Sequence, residues 1–132
     1  MLSREQHIVI RFEDADLAGI MFYPRAVARA HEVVEEMIRH SSLGWNAWFA
    51  SPQHASPLRH LEADFRAPMH AGGKYVVKAE VERLGETSVT FLTEFYDEAR
   101  CLVARIRTVH VLIEKSTGRP IPLTDTMRDA FA

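Results

Sequence analysis

The sequence predicts an α+β domain in which one long helix covers a sheet of five antiparallel strands. Three observations carry the prediction. A single amphipathic stretch of helical period lies between residues 23 and 40, runs of strand character fill the chain after residue 57, and short turn-forming breaks separate those runs. With 132 residues, 47% of them hydrophobic and 26% charged, the chain has the length for one domain, 1–132, with a modest core.

Residues 7–12, His-Ile-Val-Ile-Arg-Phe, set Ile8, Ile10 and Phe12 against His7, Val9 and Arg11, which is the period of a half-buried strand. The stretch from Glu13 to Gly19 then carries Asp14, Asp16 and Gly19, residues that favour local turns over ladders. Pro24 has a fixed φ and no N–H, so it suits the first turn of a helix, where that donor has no partner anyway. A helix over 23–40 follows. Ala26, Val27, Ala30, Val33, Val34, Met37 and Ile38 gather on one side of it, and Arg29, Glu32, Glu35, Glu36 and Arg39 on the other. His31 falls at the margin of the apolar arc, beside Val27 and Ile38. Glu35 and Arg39 stand four apart in the favourable order for a pair.

Residues 41–57, with Gly44, Pro52, Pro57, Trp45 and Trp48, read as an irregular or partly helical connection. Strands are expected over 58–67, 74–84, 88–97 and 101–114, broken by Ala71-Gly72-Gly73, by Gly85-Glu86 and by Asp97-Glu98-Ala99-Arg100. Each break reads as a hairpin-type turn, which makes the flanking strands antiparallel neighbours. The last strand is apolar on both faces and should be covered twice. In the tail from Ser116, Pro120 and Pro122 precede a short terminal helix. One helix can cover one face of such a sheet and none of its edges, so self-association is expected.

Sixteen Lys and Arg against eighteen Asp and Glu give a formal charge of −2, which offers no basic field to a nucleic acid or an anionic membrane. Neither is expected as a partner. One cysteine, Cys101, excludes an internal disulfide framework and a cysteine-based zinc site, and it reads as a structural thiol. The polar start from Met1 to His7 lacks the apolar centre of a signal peptide, and no apolar run approaches the roughly 18 residues of a membrane span. A cytoplasmic location is therefore expected.

The loop with Asp14, Asp16 and Gly19 directly precedes a helix N-terminus, where free N–H groups and the macrodipole stabilise an anion. A carboxylate beside such a terminus suits acyl transfer: one group attacks or activates water and the other holds the oxyanion. The same two aspartates could instead serve only turn or cap hydrogen bonds. A calcium loop fails, because Ala18 and Arg25 fall where oxygen ligands are required. His60, Glu62, Asp64 and Arg66 alternate along one strand face, with His54 as a further candidate ligand. That row is also what any half-solvated strand shows, and no metal is expected. No serine-hydrolase elbow, phosphate-binding glycine loop or His-Glu-x-x-His pair is present, and no cofactor is expected.

The run Arg11-Phe12-Glu13-Asp14-Ala15-Asp16-Leu17-Ala18-Gly19-Ile20-Met21-Phe22-Tyr23-Pro24 resembles the opening motif of the 4-hydroxybenzoyl-CoA thioesterase family of hotdog-fold proteins. Ser56-Pro57, the Phe65 region, Ser88 and the Pro-containing tail also stand at family-like spacings, so the resemblance spans most of the chain. It implies an antiparallel sheet wrapped around one long helix, assembled as a homodimer or homotetramer, that hydrolyses an acyl-CoA without a metal. Asp16 matches the catalytic carboxylate, as nucleophile or general base. The backbone N–H of Tyr23 matches the donor that polarises the thioester carbonyl, and Gly19, His31 and Ser56 fall at substrate-binding positions. Where the aryl-CoA branch has a helix Asp on the substrate ring hydroxyl, this chain has His31. Where that branch has a basic run for the coenzyme phosphates, it has Gly85-Glu86-Thr87. The Tyr23-Pro24 pair leans toward the aryl branch. A small aromatic or short-chain acyl-CoA is the expected substrate. The alternatives are an acyl-carrier-protein thioester or a module that binds acyl-CoA without cleaving it.

Overall fold

The polar start of the chain is itself a strand. In the computed structural model, which describes residues 1–132, the elements run β1 (Ser3–Val9), α1 (Tyr23–Arg39), α2 (Trp45–Phe49), β2 (His54–Ala55), β3 (Leu58–Phe65), β4 (Lys74–Leu84), β5 (Ser88–Tyr96), β6 (Leu102–Val111), β7 (Ile113–Glu114) and α3 (Asp125–Phe131). Five strands form one antiparallel sheet in the order β1-β4-β5-β6-β3, and β2 pairs with β7 in a separate two-stranded piece.

Ile8 and Ile10 are buried as the alternation requires, but Phe12 is 94% exposed. The ladder ends at Val9, Ile10 N–H turns to Gly73 O at 2.9 Å, and a 3-10 turn over Phe12–Asp14 rotates Phe12 outward. The turns at 85–86 and 97–100 are hairpins between sheet neighbours. The Ala71-Gly72-Gly73 break is not: β3 pairs with β6 and β4 with β1 and β5, so the chain crosses from one sheet edge toward the other there. The expected single strand 101–114 is interrupted at Leu112, whose N–H bonds Thr87 O at 2.8 Å and whose O takes Ile121 N–H at 2.9 Å, and Ile113–Glu114 then pair with His54–Ala55.

Helix α1 ends as its pattern predicts, and its apolar stripe, with Ala26, Ala30, Val33, Met37 and Ile38 buried, packs on β4 and β1. Two of its polar residues depart from the wheel. Arg29 is buried, and Glu35, instead of pairing with Arg39, accepts a hydrogen bond from Trp45 Nε1 at 2.7 Å, while Arg39 pairs with Glu36 at 3.1 Å. The Trp45 bond docks α2 on α1, and Trp48 then fills the core edge-on against Phe131 at 5.2 Å. The terminal helix is capped by Thr124, whose hydroxyl accepts Met127 N–H at 3.1 Å. It buries Phe131 completely, a contribution of about 1.5–3 kcal/mol.

The two faces and two edges of the sheet differ. The face away from α1 carries crossed ion pairs, Arg105 to Glu94 at 2.8 Å and Arg107 to both Glu62 at 2.8 Å and Glu82 at 2.6 Å, so it suits water. Edge strand β3 is exposed along its whole length, including Leu58, Leu61 and Phe65, and has only β6 beside it. No helix is long and apolar enough to cross a membrane.

Candidate active site

The chain between β1 and α1 closes on itself. Ala15 bridges Met21, Asp16 N–H bonds Ile20 O at 2.9 Å, and Phe22 N–H bonds Asp14 O at 2.8 Å, so residues 14–22 form a miniature antiparallel hairpin. Gly19 sits at its tip with φ +74, a left-handed conformation that side chains resist. The hairpin is pinned outward to the segment before β4 through Met21 N–H to Met69 O at 2.7 Å and Ala71 N–H to Gly19 O at 3.0 Å.

Its two aspartates have opposite surroundings. Asp14 is fully buried. Its Oδ1 accepts from Arg25 Nε and Nη2 at 3.0 and 2.9 Å, and its Oδ2 from Arg29 Nη1 at 2.6 Å and Arg11 N–H at 3.0 Å. Burial pushes this carboxyl up, but the Arg11 amide and the two guanidinium groups outweigh it and hold it below the usual carboxylate value. Asp16 is exposed. Its Oδ1 accepts Ala18 N–H at 2.9 Å in a local turn and Ile20 N–H at 3.4 Å, and its Oδ2 has no hydrogen-bond partner in the chain. Both aspartates thus make the turn bonds that residue chemistry allows, and one oxygen of Asp16 is left over.

Helix α1 begins where the hairpin ends. Pro24 has no donor and Arg25 N–H returns to Phe22 O at 2.8 Å, which leaves the Tyr23 amide as the donor of the first turn without an acceptor in the chain. An open recess of about 590 Å³ lies over Asp16 and Gly19, walled by Phe12, Leu17 and Phe22. A second, of about 210 Å³, joins Tyr23 to Phe65 and Arg66 at the end of β3. The first recess sets apolar walls beside a carboxylate and the second sets them beside an unpaired amide, groups that suit an acyl thioester, whose carbonyl oxygen needs a donor and whose acyl chain needs apolar contact.

Asp16, Gly19 and Tyr23 are therefore brought into one unit, and His31 and Ser56 into another. His31 is exposed rather than marginal to the core, about two turns along α1, and it meets Phe49 of α2 edge-on at 5.8 Å. It lies near His110 of β6, whose Nδ1 is 3.0 Å from the backbone carbonyl of Ser56 and whose ring meets Phe91 at 5.5 Å. A carbonyl only accepts, so Nδ1 carries the proton and the neutral ring keeps Nε2 as an acceptor. Burial is the largest influence on His110 and, with His31 nearby, lowers its pKa despite the Ser56 bond. Ser56 enters the corner through its main chain. The sequence reading missed His110, hidden in an apolar strand, and missed Arg25 and Arg29 as partners of Asp14. The His60, Glu62, Asp64 and Arg66 row is partly engaged in pairs, Glu62 with Arg107 and Asp64 with Arg66 at 3.2 Å.

The sequence pattern of the thioesterase-like superfamily matches residues 10–131. A 1,4-dihydroxy-2-naphthoyl-CoA hydrolase of Nostoc punctiforme is 30% identical over 116 residues, covering 88% of this chain and 78% of the relative. A protein of the same description from Prochlorococcus marinus is 31% identical over 116 residues, covering 83% and 76%. The crystal structure of a 1,4-dihydroxy-2-naphthoyl-CoA thioesterase from Synechocystis superposes with a TM-score of 0.89, at 24% identity over 98% of this chain and 95% of that one, a likeness of fold. The match extends from the end of β1 through α3 and takes in the whole hairpin and helix start, so the chain belongs to the thioesterase-like superfamily and is a thioester hydrolase of hotdog fold.

Proposed function

We propose that this chain hydrolyses a small aromatic or short-chain acyl-CoA to the free acid and coenzyme A. The observation that carries the reading is the pairing, on one hairpin-helix unit, of a carboxylate with a vacant oxygen (Asp16) and a helix-start amide without an acceptor (Tyr23). A thioester carbonyl seated on the Tyr23 N–H is polarised as negative charge builds on its oxygen. Asp16 either attacks the carbonyl carbon or takes a proton from the water that does. In both cases water's hydroxyl ends on the acid, its hydrogen on the thiol, and the carbon–sulfur bond breaks. The names of the relatives support a hydroxylated aryl acyl group within this class. His31, and the acceptor nitrogen of His110 near it, are the polar groups this chain would offer such a hydroxyl.

A second copy along β3 fits this reading, because the exposed edge ends at the recess that contains Tyr23. Light scattering should then give a multiple of 15.0 kDa, and a stable monomer would rule the assembly out. The function itself is tested by free-thiol release over benzoyl-, hydroxybenzoyl-, dihydroxynaphthoyl-, acetyl- and butyryl-CoA and an acyl-carrier-protein thioester. Cleavage of an aryl or short-chain CoA ester is the expected result. Cleavage of the carrier-protein ester alone would move the substrate class, and tight binding without cleavage would make this a binding module.

A further inference from the structure

A carboxylate with no exposure is an unusual thing to place two residues from an exposed one. Taking it out of water is unfavourable, and only near-complete hydrogen bonding offsets the loss. Asp14 has that: Arg25 from outside, Arg29 from inside and the Arg11 amide occupy both oxygens, while its own carbonyl takes the Phe22 amide. Arg29 Nη1 reaches on to Val9 O at 3.2 Å, tying in the end of β1. These bonds share one direction. They run from the residue two before Asp16 to the helix whose first residue is Tyr23, and Phe22 immediately precedes that residue. An apolar plug could fill the same space with equal or better stability, but it would not set a distance. A directional network does.

From this geometry we infer that Asp14 is a positioning residue for hydrolysis: gripped by Arg25 and Arg29, it holds the Asp16 carboxylate in register with the Tyr23 N–H. It touches no substrate, since it is wholly enclosed. The inference rests on the assignment of Asp16 and Tyr23 made above. Its consequence is specific, because a reacting group displaced by about 1 Å loses on the order of a hundredfold in rate. Loosening the grip should lower kcat and leave KM nearly unchanged, since the hairpin that walls the recess is also tied to the segment before β4 by Met21 N–H to Met69 O and Ala71 N–H to Gly19 O.

The experiment is a double-mutant cycle on the best-cleaved ester of the panel, with folded fraction and Tm measured for every variant. Asp14→Asn in the wild-type background should lower kcat about a hundredfold with KM within about twofold. In an Asp16→Asn background the same change should move the residual rate by less than about threefold, because nothing is left to position. Equal losses in the two backgrounds, or a wild-type kcat in a folded Asp14→Asn enzyme, would overturn the inference. If Asp14→Asn does not fold, Arg25→Gln decides. Its side chain is 39% exposed, so it releases one grip without emptying the core. It should lower kcat about tenfold, and an unchanged kcat would overturn the inference. A failure of the underlying assignment looks different: Asp16→Asn alone would then retain full activity.

Discussion

At the first turn of α1, Asp14 receives four hydrogen bonds and the Tyr23 amide is left without an acceptor. About two turns further along the same helix, His31 makes no hydrogen bond and meets only the edge of Phe49, with His110 held by one bond to Ser56. The first region fixes atoms by directional bonds among charged groups. The second is shaped by ring contacts, which tolerate displacement. Chemistry that fails when a group moves by about 1 Å belongs in the first, and recognition of differing acyl groups is compatible with the second. Catalysis and substrate choice should therefore be separable by mutation.

The largest effect is expected where the bonds are densest. Asp14→Ala strips Arg29, itself only 8% exposed, of its buried partner and leaves it the largely exposed Glu32 at 3.1 Å, and breaking a buried pair costs about 3–5 kcal/mol. Chemical denaturation measures this directly, and a loss below about 1 kcal/mol would show that the hairpin is held by something else. At the His31 corner the expected effect is on preference. His31→Ala should change the ranking of hydroxylated against plain aryl-CoA esters by roughly ten- to a hundredfold, from a lost hydrogen bond of about 1–3 kcal/mol, with kcat on the best remaining ester preserved. An unaltered ranking at unaltered stability would return His31 to a surface role.

How far the two regions were legible in the sequence follows from the range of their interactions. The apolar stripe of α1 and the turns at 85–86 and 97–100 are local patterns, and a window of residues contains all of their causes. Arg29 looks like a solvent-facing residue on the helical wheel because its partner, Asp14, lies in another element. The Gly72-Gly73 break looks like a hairpin because strand order is set by pairing between distant strands, and residues 69–73 are occupied instead by Met21, Gly19 and Ile10. Asp16 and Tyr23 stand out through the resemblance of the run from Arg11 to Pro24 to a family motif, whereas the residues alone offer a loop with two aspartates before a helix start. His110 does not stand out, because its neighbours come from distant parts of the chain, Ser56 from the link between β2 and β3, Phe91 from β5 and His31 from α1.

The smallest expected effect separates the two regions by pH. The folded pKa of His110 is lowered, so below about 6.5 the unfolded chain takes a proton that the folded one refuses. Stability should fall as pH drops from about 6.5 through that lowered value. The folded pKa of Asp14 is also lowered, so its contribution is complete above about pH 4 and is lost only as pH falls through its folded value. Stability curves for wild type and His110→Gln should therefore diverge in the upper window and run parallel in the lower one. Parallel curves throughout would mean that His110 is free to ionise.

Thiol release by Asp16→Asn on the best ester asks whether the Asp16 carboxylate performs the chemistry. The amide keeps the size and the Ala18 turn bond and loses the charge, so the fold, the Tm and substrate binding should persist while kcat falls by about 10²–10⁴-fold. A folded Asp16→Asn protein with kcat within a few fold of wild type would contradict the account.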